Sequence, residues 1–219
     1  MDSAPFNQGE IMEILYEDNH IIVCRKERGL LSQDGAGKPC MTDKLREYTK
    51  GEIYPVHRLD KDVGGIMVYA VTQKAAAELS KQVAERTMEK EYLAVVHGES
   101  AQGTMEDLLF FDRSKNKSFV VKKERRGVKK ALLEYKTLER KGEESLVRVR
   151  LHTGRTHQIR VQFAHRKMPL FGDRRYGGRD EEKTIALWSC KVSFLHPATK
   201  ERMSFELYPQ GDEAFRDFY

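Results

Sequence analysis

Apolar residues along this chain fall into short stretches that either alternate with polar ones or form compact β-branched and aromatic runs. The pattern predicts about eight strands: IMEILY (11–16), HIIVCRK (20–26), GIMVYAVT (65–72), EYLAVVHG (91–98), ALLEYKTL (131–138), SLVRVRL (145–151), LWSCKVSFL (187–195) and RMSFELY (202–208). Val147, Val149 and Leu151 alternate with Leu146, Arg148 and Arg150. That strand therefore carries two arginines on one face, which is either wet or turned to a nucleic acid. Helical spacing is rarer and predicts TDKLREY (42–48), QKAAAELSKQVAER (73–86), opening after Thr72 as N-cap, and RTHQIRVQFAHR (155–166). Strands come in runs rather than alternating with helices. The expected fold is a mixed, mainly antiparallel α+β domain with a central sheet and flanking helices and loops.

No repeat, low-complexity tract or Pro/Ser-rich linker divides the 219 residues, so the chain 1–219 reads as one domain. Its longest apolar run, Ile66 to Val71, is far too short to span a bilayer, and the first residues carry no leader pattern. The expected location is cytoplasmic, with no membrane partner, and the expected state is a monomer. Cys24, Cys40 and Cys190 are far apart and lack zinc or disulfide spacing, so they read as reduced structural thiols. Lysine and arginine number 39 against 34 acids, a net charge of +5 that favours a polyanionic partner.

Chemistry concentrates in a few clusters. PVHRLDKDVGGIMVYA (55–70) sets Arg58 and Asp60 before two glycines and an apolar strand. It reads either as a polar turn before a buried strand or as a carboxylate pinned at a site by glycines that permit a tight backbone. RVRLHTGRTHQIRVQFAHRKMPLFGDRRYGG (148–178) is dense in Arg, His and Gly. On a helix there, His157 and Arg160 share one face while Ile159 and Phe163 share another that can pack. Histidines 152, 157 and 165 lack metal-ligand spacing and a nearby acid, so no metal is expected. KKERRGVKK (122–130) holds Lys122, Lys123, Arg125, Arg126, Lys129 and Lys130, and reads either as a solvated hairpin or loop or as a set of phosphate contacts. Tyr92 opens a valine-rich run and by itself signals only packing.

Together these pieces resemble the RluA-type pseudouridine synthases from about Ile14 to Tyr208. The resemblance rests on HRLDKDVGG (57–65), KEYLAVVHG (90–98), LHTGRTHQIRVQFAH (151–165), PLFGDRRYGG (169–178) and SFLHPATKERMSFE (193–206), in the order that family shows. HRLD alone is weak; HRLD followed by TGRTHQIRV is specific. The chain departs from the family pattern where Val63 and Gly64 replace a Thr and a Ser, where Glu27 replaces the Pro after Lys26, and where Leu187, Trp188 and Ser189 stand for a Leu-His-Ala stretch. These departures bear on substrate identity more than on reaction type. Some relatives carry a small RNA-binding domain ahead of the catalytic one, and none is expected here.

The resemblance implies an enzyme that isomerises chosen uridines of ribosomal or transfer RNA to pseudouridine, with no cofactor or metal. It assigns Asp60 as the essential carboxylate, Arg160 as its partner and Tyr92 as the aromatic residue against the uracil. A target base must leave its stack to reach such a carboxylate, and Arg58 is the residue expected to fill the gap. Arg155 and His157 are expected to contact RNA, with the basic run binding backbone phosphates. The rival readings are a non-catalytic RNA-binding or chaperone protein on the same fold, and a metal-dependent nuclease, for which the chain lacks a carboxylate cluster.

Overall fold

The computed structural model describes residues 12–35, 37–98, 101–182 and 184–219. Its strands are β1 (Ile14–Glu17), β2 (Ile21–Lys26), β3 (Tyr54–Pro55), β4 (Gly64–Ala70), β5 (Glu89–His97), β6 (Gln102–Asp112), β7 (Lys117–Val121), β8 (Val128–Lys141), β9 (Glu144–Leu151), β10 (Leu187–Leu195) and β11 (Arg202–Glu206). The helices are α1 (Met41–Thr49), α2 (Gln73–Glu85) and α3 (Gln158–His165). The strands form one sheet in the order β1-β2-β4-β10-β5-β9-β8-β6-β7, with β3 added beside β4 and β11 beside β10. Among these strands only the β4–β10 pair is parallel. The mainly antiparallel α+β expectation therefore holds.

Each of the eight expected strands is present within a few residues; residue 11 of the first lies outside the described residues. Three strands escaped the pattern. β6 buries only Met105 and Leu109 fully and carries Glu106 and Asp107 mid-strand, while β7 and β3 are short. Helix α2 begins as expected, with the Thr72 hydroxyl accepting from the Ala75 amide. Helix α3 starts later than the expected residue 155. His157 takes a left-handed conformation (φ 55°), which closes the preceding turn and leaves Gln158 as the first helical residue.

Two-sided burial explains the near-continuous apolar run of β5. Tyr92, Ala94 and Val96 share a core with Val147, Val149, Ile159 and Phe163 under α3, whereas Leu93 and Val95 pack with Leu146, Trp188, Cys190 and Phe215 on the reverse. All three cysteines are buried and free, and burial pushes the Cys24 thiol up to about 12 and Cys190 to about 11. Arg148 and Arg150 do share a face of β9. There they pair with Glu91 (3.2 Å), Glu206 (3.9 Å) and Glu89 (3.3 Å) across the sheet, which makes it a wet, charge-paired surface.

Strands β4 and β10 pair at Gly64↔Trp188 and Gly65↔Ser189. Gly65 has φ +114°, and a Cβ there would lie 2.6 Å from the Ser189 backbone nitrogen. One at Gly64 would lie 2.6 Å from the Trp188 ring. Both glycines are therefore required for the two strands to join just where the chain leaves Asp60.

Candidate active site

Asp60 lies in the loop between β3 and β4, with its side chain 27% exposed. The residues before it are anchored twice. Buried His57 accepts the Val68 amide at Nε2 (3.1 Å), and burial lowers its pKa to about 3, so the ring is neutral. Ser32 holds Leu59 from both sides, donating to its carbonyl (2.8 Å) and accepting its amide (2.9 Å). After Asp60, Lys26 is wholly buried and donates to the carbonyls of Glu27 (2.9 Å), Lys61 (3.0 Å) and Val63 (2.8 Å). Burial, with Arg28 nearby, pulls the Lys26 pKa down to about 7.

Helix α3 delivers the counter-charge. Arg160 Nη1 donates to Asp60 Oδ2 at 3.1 Å. Its other edge forks onto Asp173, Nε to Oδ2 at 2.7 Å and Nη2 to Oδ1 at 2.8 Å, with Asp173 only 2% exposed. Burial works against this guanidinium, but the fork to Asp173 and the nearby Asp60 outweigh it and raise its pKa. A bidentate fork fixes the plane of the guanidinium, so Asp173 aims Nη1 at Asp60. The Tyr176 ring faces the guanidinium at 5.2 Å, and its hydroxyl accepts the Ser118 amide (2.7 Å) and meets His157 Nδ1 (2.9 Å). His157 Nε2 is 3.7 Å from Asp60 Oδ2. Burial lowers the His157 pKa, with Asp60 pulling the other way.

Tyr92 is buried on β5, paired with Ser189 of β10 and Val149 of β9. Burial, then the negative charge of Asp60, raises its pKa, so it meets a substrate as the neutral phenol. Asp60 and Arg160, distant in sequence, are hydrogen-bonded, and Tyr92 shares a core with their chain neighbours Leu59 and Ile159. His157, expected against RNA, stands within this cluster. Arg58 is exposed, two residues before Asp60. Arg155 donates from Nε to the Lys130 carbonyl (2.9 Å), and its own amide is taken by the Gln158 side chain (3.0 Å). The other histidines of that stretch lie apart: His152 is 3.1 Å from Glu134, and His165 is exposed.

The basic run is a crossing rather than a hairpin. β7 and β8 flank β6 and run the same way, so residues 122–127 pass over β6. Arg125 sits 4.7 Å over the Phe110 ring there. Leu109 and Phe111, on the opposite face, meet Val161 and His157 instead. All six basic residues are exposed. Asp173, Tyr176, Lys26 and Ser32 were not among the expected site residues. Asp173 and Tyr176 stood in the PLFGDRRYGG motif, and an acid after a Gly was the available signal; nothing local marked the other two.

The family described as RNA pseudouridylate synthase matches residues 20–165. An uncharacterized RNA pseudouridine synthase of Mycoplasma pneumoniae is 32% identical over 94% of this chain and 69% of its own. The ribosomal large subunit pseudouridine synthase D of Vibrio cholerae is 37% identical over 89% of this chain and 66% of its own. The chain thus spans about two thirds of the length of these relatives. Among solved structures, human RNA pseudouridylate synthase domain containing 1 superposes with a TM-score of 0.78 at 21% identity, covering 96% of this chain and 90% of that one, which shows a common fold. With its fold and the order of its motifs in agreement with these matches, the chain belongs to the RNA pseudouridylate synthase family.

Proposed function

We propose that this protein isomerises specific uridines of structured RNA to pseudouridine, with ribosomal RNA as the first substrate to test. The observation that carries the reading is Asp60, a partly exposed carboxylate paired to a guanidinium that a second, buried carboxylate holds in plane, with a buried phenol in the core that includes the neighbouring Leu59 and Ile159. The reaction breaks the bond from base N1 to the ribose, turns the uracil, and joins C5 to the same carbon; the proton on C5 leaves and N1 gains one. Atoms and electrons balance within the nucleotide. Asp60 supplies the anionic oxygen, whether to the anomeric carbon, the uracil ring or a ribose proton. Arg160 keeps that oxygen aimed, and Tyr92 offers its ring face to the base.

Because the base must be extruded, we assign Arg58 to the vacated stack, where a planar guanidinium can substitute for a base. Ribosomal RNA comes first because the Vibrio cholerae relative is named for the large ribosomal subunit. The test is chemical mapping of pseudouridine across cellular RNA with and without the gene, repeated on purified RNA with purified protein. Loss of one or a few sites on gene removal, restored in vitro, is the expected result. Transfer RNA sites in place of ribosomal ones would reassign the substrate. Binding to RNA without conversion anywhere would favour the non-catalytic reading.

A further inference from the structure

The loop that carries Asp60 is gripped from one side by a single stretch, residues 26–32. Ser32 holds Leu59, the Gly29 amide and Lys26 hold the Lys61 carbonyl, and Lys26 also holds Val63. Arg28 completes the set: Nη1 donates to the carbonyls of Asp62 (2.6 Å) and Ile185 (2.7 Å). Its Nε and Nη2 fork onto Asp212 at 2.7 and 3.2 Å. Asp212 also accepts the Ala214 amide at the start of a 3₁₀ turn, Glu213–Phe215, whose Phe215 is buried in the reverse core. One guanidinium therefore ties the Asp60 loop, the approach to β10 and the C-terminal segment together.

The surroundings are where this chain departs from its family pattern. Arg28 lies 5.9 Å over the Trp188 ring, and the same ring occupies the space a side chain at Gly64 would need. Val63 and Gly64 bring no hydroxyl to the loop, so their side chains offer nothing with which to hold it from within. Trp188, Gly64 and Arg28 form one contiguous unit in which an outside clamp holds the loop.

We propose that Arg28, braced by Asp212 and seated on Trp188, is a positioning residue for Asp60, fixing the 60–63 turn so that the carboxylate meets Arg160. The proposal rests on the synthase reading for its kinetic consequence but not for its structural one. A side chain that only positions another changes the chemical step and not the capture of substrate, because misplacing a reacting group by about an ångström costs about a hundredfold.

The experiment compares the parent with Arg28→Gln, Arg28→Lys and Asp212→Asn in two measurements. Amide exchange needs no substrate. In Arg28→Gln the Val63 amide, bonded to the Asp60 carbonyl, should exchange about tenfold faster while β5 amides keep their protection. The second measurement is single-turnover conversion at saturating enzyme, on a large-subunit ribosomal RNA transcript that the parent converts. Arg28→Gln should lose about tenfold or more in rate with RNA affinity within about twofold. Arg28→Lys and Asp212→Asn should fall between, since an ammonium has no fork and a neutral amide braces it weakly. Unchanged Val63 exchange overturns the proposal, as does equal quickening in β5 and the loop, which would make Arg28 a general stabiliser. A rate within about twofold of the parent in Arg28→Gln also overturns it. A parent that converts no RNA would overturn the synthase reading and leave the exchange result to decide the clamp.

Discussion

At the scale of single residues, the site is a chain of charges in which each holds the next. Asp60→Asn keeps the shape but removes the anionic oxygen, so RNA binding should persist while conversion falls by at least about a hundredfold. Turnover within about tenfold of the parent would sink the assignment of Asp60. Arg160→Leu should silence conversion too and cost about 3–5 kcal/mol, because it strands the buried carboxylate of Asp173 as well as Asp60. Urea melts and conversion assays check both effects, and full activity would show that another basic residue, such as Arg155, holds Asp60. His57 gives a pH signature. Its pKa falls from 6.5 to about 3 on folding, so between those values the unfolded chain binds more protons, and stability is lost as pH falls through that window. His57→Gln, whose amide oxygen can still accept the Val68 amide, should flatten the slope of stability against pH there by about one proton. An identical slope would mean that His57 takes up its proton in the folded state.

At the scale of elements, the basic crossing over β6 and the α3 helix divide the labour. Arg125 and its neighbours lie beyond β6 from the groups that surround Asp60, so they suit backbone charge rather than chemistry. Neutralising Lys122, Lys123, Arg125 and Arg126 together should weaken RNA binding about equally across sequences. The salt dependence should flatten by up to about one unit of slope for each phosphate that these side chains neutralise in the parent, and conversion of bound RNA should survive. Affinity across a salt series, with the single-turnover rate at saturating enzyme, measures both. Unchanged affinity and slope would return the segment to a solvated crossing; a fall in the saturated rate would bring it to the flipped nucleotide.

For the whole molecule, one hydrogen-bonded sheet runs from β1 to β7, and the site sits across its middle, where β4 joins β10. Backbone pairing runs unbroken through the described strands of that sheet. Urea unfolding followed by the fluorescence of the single tryptophan, Trp188, and by far-ultraviolet dichroism should therefore give coincident curves. Two separated transitions would show that the β6–β7–β8 end is an independent unit. Among the described residues no helix is long and apolar enough to cross a membrane.

The chain by itself determined a good deal. β-branched and aromatic runs, and alternation in 145–151, located the strands that are buried on at least one face, Thr72 marked the start of α2, and Asp60, Tyr92 and Arg160 stood in motifs whose order named the family. What it left undecided depends on partners distant along the chain. β6 and β7 carry short apolar runs of their own, 108–111 and 119–121, but pairing with each other and with β8 is what makes them strands. His157 turns toward Asp60 because its left-handed turn ends at α3. Asp173 matters only when α3 brings Arg160 onto it, and Arg28 only when Asp62, Ile185 and Asp212 meet around one guanidinium. Local patterns record local burial and turns; a hydrogen bond that spans 100 residues, as from Arg160 to Asp60, leaves no periodicity to read, and only tertiary packing creates it.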